Sequence, residues 1–262
     1  MDIHNGNILS LVSLPDFDPN ERQNLTDVNY INRVTKGTYE LGSVFKTFTF
    51  ASALNEKLIK PETEFLDLPK SINCYGFPIR EYDNEIPSDL TAEQILVRSG
   101  NIGSVRIAQK VGPEKFKSFL EKIGVLSDIQ FDIEEVAPQK NYNFGKCKLA
   151  TASFGHGVAT TILQLAKGYA ILSNGGYDIK PTLVKNNHQK NTKKKKLLNK
   201  GVSEQVVNAL RKIVSTEEGT AKFADVEYFE IGGKTGTADQ PKDGAYSEAK
   251  INTFASIFPT SN

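Results

Sequence analysis

Ser43 and Lys46 stand three residues apart at the head of an apolar run, in Gly42-Ser43-Val44-Phe45-Lys46. On a helix that spacing puts both side chains on one face, so the amine reaches the hydroxyl. A serine becomes a nucleophile when a base takes its proton. A lysine serves as that base once burial or a second cation lowers its pKa. Ser43 also falls at a helix start, where free backbone N–H groups favour a developing negative charge. Alone the pattern is weak. Ser-x-x-Lys arises by chance about once in a chain of this size, and Ser247-Glu248-Ala249-Lys250 repeats it in what reads as a polar loop.

Ser99-Gly100-Asn101 forms a polar break between two helical stretches. A hydroxyl and an amide two residues apart on a turn can point into one cleft, one to relay a proton and one to hold a peptide bond. Taken singly, Ser99 also reads as a helix cap. Ser71-Ile72-Asn73 has the same spelling without a helical frame. The third group is Lys234-Thr235-Gly236-Thr237. Glycine on an edge strand lets a substrate backbone approach and pair. Lys234 supplies positive charge, and the threonine hydroxyl can bind a carboxylate. The N–H of Thr237 pairs with that of Ser43 as a candidate oxyanion hole. A glycine-rich bend in a strand is the plain alternative.

The elements that must position these groups are largely legible. Asn5-Gly6 between two apolar runs predicts a hairpin, with Ile8, Leu9, Leu11 and Val12 in a buried strand. Residues 15–29 read as loop. Val44 to Leu54 has helical length, and 58–87 looks irregular. Thr91 with Gln94, and Thr161 with Gln164, are capping-box pairs that open helices over 91–98 and 161–174. Asn101 to Val111 and Glu114 to Ile123 are helical, each stopped by glycine. Ser203 to Ser215 carries apolar residues at helical spacing. Residues 231–236 and 252–258 read as strands. Strands, many helices, then strands suit an α/β sheet lobe split by a helical insertion.

The chain has 262 residues, 39% hydrophobic and 24% charged, which is ordinary globular composition. Thirty-two basic residues against thirty-one acidic ones leave a net charge of +1, which argues against a nucleic-acid partner. No run of about eighteen apolar residues suggests a membrane span, and the opening Met1-Asp2-Ile3-His4 does not read as a signal peptide. Cys74 and Cys147 match no metal spacing and read as two free thiols. Three scattered histidines give a Ser-His-Asp triad little support, and His156 reads as a packing residue on a turn near the cleft. The lysine run 193–196, in a polar stretch from Asn186 to Lys200, reads as a solvated loop.

Taken in order, Ser-x-x-Lys, Ser-x-Asn and Lys-Thr-Gly resemble the signature of penicillin-binding proteins and serine β-lactamases. Tyr39-Glu40-Leu41-Gly42-Ser43-Val44-Phe45-Lys46 is similar to a box of class B penicillin-binding proteins, as are residues 153–157, 232–238 and 2–6. The resemblance implies one transpeptidase domain over 1–262. A sheet lobe would take 1–55 and 222–262, and a mostly helical lobe 56–221. It implies that Ser43 is acylated by a D-Ala-D-Ala stem peptide and by β-lactams, with Lys46 as base and Ser99 as relay. Asn101 and Lys234 complete the catalytic set. Thr235, Gly236 and Thr237 would bind substrate, and no cofactor or metal is implied. Leu41 with Asn32, Arg33 and Val34 is similar to the septal branch in alphaproteobacteria. That branch works at the periplasmic face of the inner membrane with a glycosyltransferase and other division proteins.

Family members carry an anchor and pedestal before this stretch and a strand and helix after it. The sequence is therefore expected to be a catalytic domain truncated at both ends. Two rivals remain: a β-lactamase or β-lactam sensor, and a non-catalytic fragment. For the former, the nearest water-directing glutamate is Glu204-Gln205-Val206-Val207-Asn208, inside an amphipathic stretch.

Overall fold

In the computed structural model, residues 1–18, 20–21, 30–134, 136, 142–185, 194–242 and 245–261 are described. The element at the centre is α1 (Phe45–Asn55), entered through a 3-10 turn at Gly42–Val44. Its sequence FKTFTFASALN shows no polar face, and all eleven residues are buried. Its polar residues are not gathered on one side, so no face is marked for solvent, and the helix is buried whole. Its hydroxyls are satisfied: Thr47 meets the Tyr169 hydroxyl at 2.9 Å, and Thr49 donates to the Ser153 carbonyl at 2.8 Å.

Around α1 pack α2 (Ala92–Val97), α3 (Asn101–Val111), α4 (Pro113–Lys122) and α7 (Val202–Ser215). The remaining helices are α5 (Lys146–Ala152) and α6 (Ile162–Ser173). Both expected capping boxes form, at Thr91/Gln94 and Thr161/Gln164, which fixes where α2 and α6 begin. Two short antiparallel pairs form in and just after the stretch 58–87 that read as irregular. They are β1 (Glu64–Phe65) with β4 (Leu90–Thr91), and β2 (Ser71–Cys74) with β3 (Phe77–Arg80). The long pair is β5 (Gly232–Lys242) with β6 (Ala245–Ile257), antiparallel, with Lys234 opposite Ala255 and Thr237 opposite Asn252. The backbone of α7 lies against β5 at Gly232, where an added Cβ would stand 3.1 Å from the Arg211 nitrogen.

Several expectations need correction. Asn5-Gly6 does turn the chain, with the Gly6 N–H donating to the Asp2 carbonyl at 2.9 Å. The strand after it does not form. Asn7 makes a single parallel bridge to Thr182, and beyond it Leu9 is 76% exposed and Val12 69% exposed. Among the described residues no partner strand covers that stretch, so an apolar run after a turn was not enough to bury it. Cys74 and Cys147 are not free: their Cα atoms lie 5.6 Å apart and the sulfurs are bonded. Their distance along the chain hid this, because β2–β3 folds back over the start of α5. Ser247 to Lys250 lies in β6 rather than in a loop. The segments 22–29 and 186–193, with His188 and part of the lysine run, lie outside the described residues.

Among the described residues no helix is long and apolar enough to cross a membrane, and no cluster of three metal-ligating side chains occurs.

Candidate active site

Ser43 sits in the turn that leads into α1, and Lys46 follows in the first turn of that helix. The Lys46 amine lies 3.0 Å from the Ser43 hydroxyl, as the spacing predicted. It also reaches the Ser99 hydroxyl at 3.1 Å and the Ser99 carbonyl at 2.5 Å. Lys46 is 1% exposed. Burial holds its pKa well below the ordinary lysine value, and the nearby Lys234 lowers it further, while Glu81 acts the other way. A buried lysine depressed in this way can be a neutral base at moderate pH.

Ser99 ends the link from α2 to α3 with φ at 59°, in the left-handed region that only glycine enters freely. It is therefore not the cap of α3. Gly100 takes that place, without a side-chain bond of its own. The left-handed turn aims the Ser99 hydroxyl inward. From the other side the Lys234 amine donates to it at 2.9 Å and to the Thr235 carbonyl at 3.0 Å. Lys234 is fully buried, and burial brings it down from 10.5 to about 7. One hydroxyl thus receives both lysines.

Close backbone crossings bring β5 to Ser43. A Cβ on Gly42, whose φ is +60°, would stand 2.4 Å from the Thr237 carbonyl oxygen. A Cβ on Gly236 would stand 2.4 Å from the Leu41 carbonyl, and one on Gly155 would stand 2.1 Å from the Gly42 carbonyl. Three glycines therefore let three stretches of main chain touch, with the backbones of residues 42 and 237 in contact. The Thr235 hydroxyl donates to the Thr220 hydroxyl at 3.0 Å, and the Thr237 hydroxyl to the Asn252 carboxamide oxygen at 3.1 Å.

Above these groups opens a cleft of about 400 Å³. Ser43, Ser99, Asn101, Thr235, Gly236 and Thr237 line it. Lys46 and Lys234 lie buried beneath, so the structure brings together every residue the three motifs singled out. Asn101 opens α3 and donates through its amide to the Arg80 carbonyl at 2.8 Å. Residues outside the motifs complete the walls: Tyr82, Phe154, His156 and Thr220. The His156 ring meets Phe154 edge-on, and burial lowers its pKa. The amine within hydrogen-bond reach of the Ser43 hydroxyl is that of Lys46. Tyr82 and the neighbouring Glu81 follow β3, and no spacing rule ties residue 81 to residue 101. Phe154 and Gly155 follow α5, a helix the sequence reading did not single out.

The rival spellings lie elsewhere. Ser247 donates to the Gln240 carbonyl at 2.9 Å, and Lys250 is ion-paired with Asp239. Asn73 caps its own turn, accepting from Gly76 at 2.8 Å. Glu204 and Asn208 lie on α7 and line a different depression.

Residues 1–262 match the family described as the penicillin binding protein transpeptidase domain. The chain belongs to this family. This transpeptidase domain is 30% identical over 299 residues to the peptidoglycan D,D-transpeptidase FtsI homolog of Mesostigma viride, covering 100% of the chain and 50% of that protein. To the probable peptidoglycan D,D-transpeptidase FtsI of Caulobacter vibrioides it is 29% identical, covering 98% of the chain and 44% of the relative. The chain thus spans about half the length of these relatives. Among solved structures it resembles the transpeptidase domain of Burkholderia pseudomallei penicillin-binding protein 3, with a TM-score of 0.81 and 26% identity. That likeness covers 88% of this chain and 70% of the other. The α/β penicillin-binding fold expected from the motifs is the fold of this transpeptidase domain.

Proposed function

We propose that this chain is the acyl-transfer domain of a peptidoglycan D,D-transpeptidase. The observation that carries the reading is the Ser99 hydroxyl, held between two buried lysines while one of them reaches Ser43 at 3.0 Å. Neutral Lys46 takes the Ser43 proton as the oxygen attacks the carbonyl between the two D-alanines of a stem peptide. The N–H groups of Ser43 and Thr237 receive the negative charge that develops on the carbonyl oxygen. The proton then passes from Lys46 through Ser99 to the departing amine. The C–N bond breaks and D-alanine leaves, with an ester on Ser43. The amine of a neighbouring stem peptide attacks that ester, loses its proton back through Ser99 and Lys46, and restores the serine hydroxyl. Lys234, Thr235 and Thr237 hold the substrate carboxylate, and Asn101 holds the acyl portion beside Gly236.

A β-lactam enters the same cycle, but its opened ring stays attached, so no leaving group departs and the ester persists. No cofactor takes part in these steps. In the proposed arrangement β5 and β6 belong to a sheet lobe and α2 to α7 supply the helical lobe. The whole protein would act at the division septum, on the periplasmic face of the inner membrane. It would work there with a glycosyltransferase and other division proteins.

The test is intact mass over hours with benzylpenicillin, beside Ser43→Ala. A stable adduct of one drug per chain, absent from the variant, supports the reading. Steady turnover of a chromogenic β-lactam would assign the chain to the β-lactamases. A folded protein that forms no adduct would refute the acyl-transfer role.

A further inference from the structure

Glu81 lies just beyond β3 and is half-buried. Its carboxylate accepts from the Asn101 N–H at 2.5 Å and from the Ile102 N–H at 2.9 Å. The preceding Arg80 carbonyl takes the Asn101 amide at 2.8 Å. Residues 80 and 81 therefore grip the first turn of α3 at three points. The first N–H groups of a helix have no partner within it, and Gly100 offers no side chain to cap them. A carboxylate from outside the helix does that work, with a charge of the sign that a helix start favours.

The turn so held carries the strain of the site. A non-glycine residue in the left-handed region costs about 1–3 kcal/mol and persists only where its surroundings enforce it. On one side of Ser99, α2 supplies the restraint: the Ser99 and Gly100 N–H groups bond back to Leu96 at 3.1 Å and to Ile95 at 2.9 Å. On the other side the restraint comes from Glu81. Glu81 is also an anion that acts on Lys46. Two buried lysines converging on one hydroxyl are mutually repulsive, and a nearby carboxylate offsets that repulsion.

We infer that Glu81 is a positioning residue for acyl transfer: it locks the Ser99-Gly100-Asn101 turn and provides counter-charge to the buried Lys46. Its hydrogen bonds go to backbone N–H groups, so it acts through the turn and not on substrate. The inference rests on the acyl-transfer reading for its rate predictions only. The charged groups around the cluster come from several elements. Lys46 faces Lys234 of β5 and Glu81. Asp83 and Arg98 share the corner of Glu81 and Tyr82, with Arg98 ion-paired to Glu218. His156 faces Lys46 from beyond α5.

The experiment measures benzylpenicillin acylation rates across pH 6–9, with thermal melts, for wild type, Glu81→Gln, Glu81→Ala and Glu81→Asp. Glu81→Ala should acylate about ten- to a hundredfold more slowly, as expected for a shifted reacting group. Glu81→Gln keeps the shape and loses the charge. Without that charge Lys46 sheds its proton more readily, so the acidic limb of the rate profile should move to lower pH. Glu81→Asp should return the limb to its wild-type position at a reduced rate. Glu81→Ala that acylates like wild type, or Glu81→Gln that leaves the limb where wild type has it, overturns the inference.

The melts test it without acylation. Glu81→Gln should lose stability relative to wild type as pH falls and Lys46 takes up its proton, since the depressed amine is charged only on the acidic side. It should recover as pH rises and the amine becomes neutral in both proteins. A constant difference across the range overturns the counter-charge role. Wild type that forms no adduct would instead refute the acyl-transfer reading, and the melts would still decide the role of Glu81.

Discussion

Replacing Lys234 by methionine should make the protein more stable at neutral pH and less active. In the folded protein burial brings this amine from 10.5 to about 7. The unfolded chain therefore holds the proton more tightly between those two values, and wild-type stability rises with pH across that window. At pH 7 the linkage amounts to about 4 kcal/mol relative to the neutral amine. Methionine removes that cost. It also loses the bonds to the Ser99 hydroxyl and the Thr235 carbonyl, at 2.9 and 3.0 Å, at about 1 kcal/mol each. The net gain is about 2 kcal/mol, a rise of roughly 4–8 °C in Tm for a chain of this length. Near pH 10 the wild-type lysine is neutral and keeps both bonds, so the order reverses and Lys234→Met becomes the less stable protein. Calorimetric melts of both proteins from pH 7 to 10 should therefore cross. Acylation should fall about ten- to a hundredfold, because the substrate carboxylate loses a charged donor. Melting curves that stay parallel across the range would refute the claim that burial depresses this lysine.

Two further outcomes follow from the geometry. Ser99→Gly should melt above Ser99→Ala by about 1 kcal/mol, since only glycine relieves the φ of 59°, while stopped-flow acylation should fall at least about a hundredfold in both. Reduction of the Cys74–Cys147 bond, or Cys74→Ser with Cys147→Ser, should lower stability. Loop closure over a separation of 73 residues contributes about 4 kcal/mol, so melts with and without reductant should differ by roughly 8–16 °C.

The site was legible where chemistry and spacing coincide. Ser43 and Lys46 share a helix face by arithmetic alone. Thr91/Gln94 and Thr161/Gln164 announced two helix starts that the backbone honours. What the sequence concealed was contact across distance. Nothing near residue 81 says that its carboxylate meets the N–H groups of residues 101 and 102. Nothing in Ser99-Gly100-Asn101 says that the serine, and not the glycine, takes the left-handed conformation. The convergence of Lys46 and Lys234 on one hydroxyl depends on α1, α2 and β5 meeting, a packing fact. The two cysteines illustrate the same limit: their spelling suited free thiols, and only the fold of β2 and β3 over α5 joins them. The N-terminal segment erred in the other direction, since the apolar run after Asn5-Gly6 suggested a buried strand and Leu9 and Val12 remain exposed.

The cystine also makes residues 74 to 147 a covalent ring. Ser99 and Asn101 lie inside it, while Ser43, Lys46 and Lys234 lie on the tails that leave it. A protease that cuts one bond between residues 75 and 146 opens the ring without releasing a fragment. Such a nicked molecule would keep its full mass, plus one water, on a non-reducing gel and would part into two bands only with reductant. Preparations judged intact under oxidising conditions can therefore contain broken chains that still present all the cleft residues, and integrity has to be read after reduction.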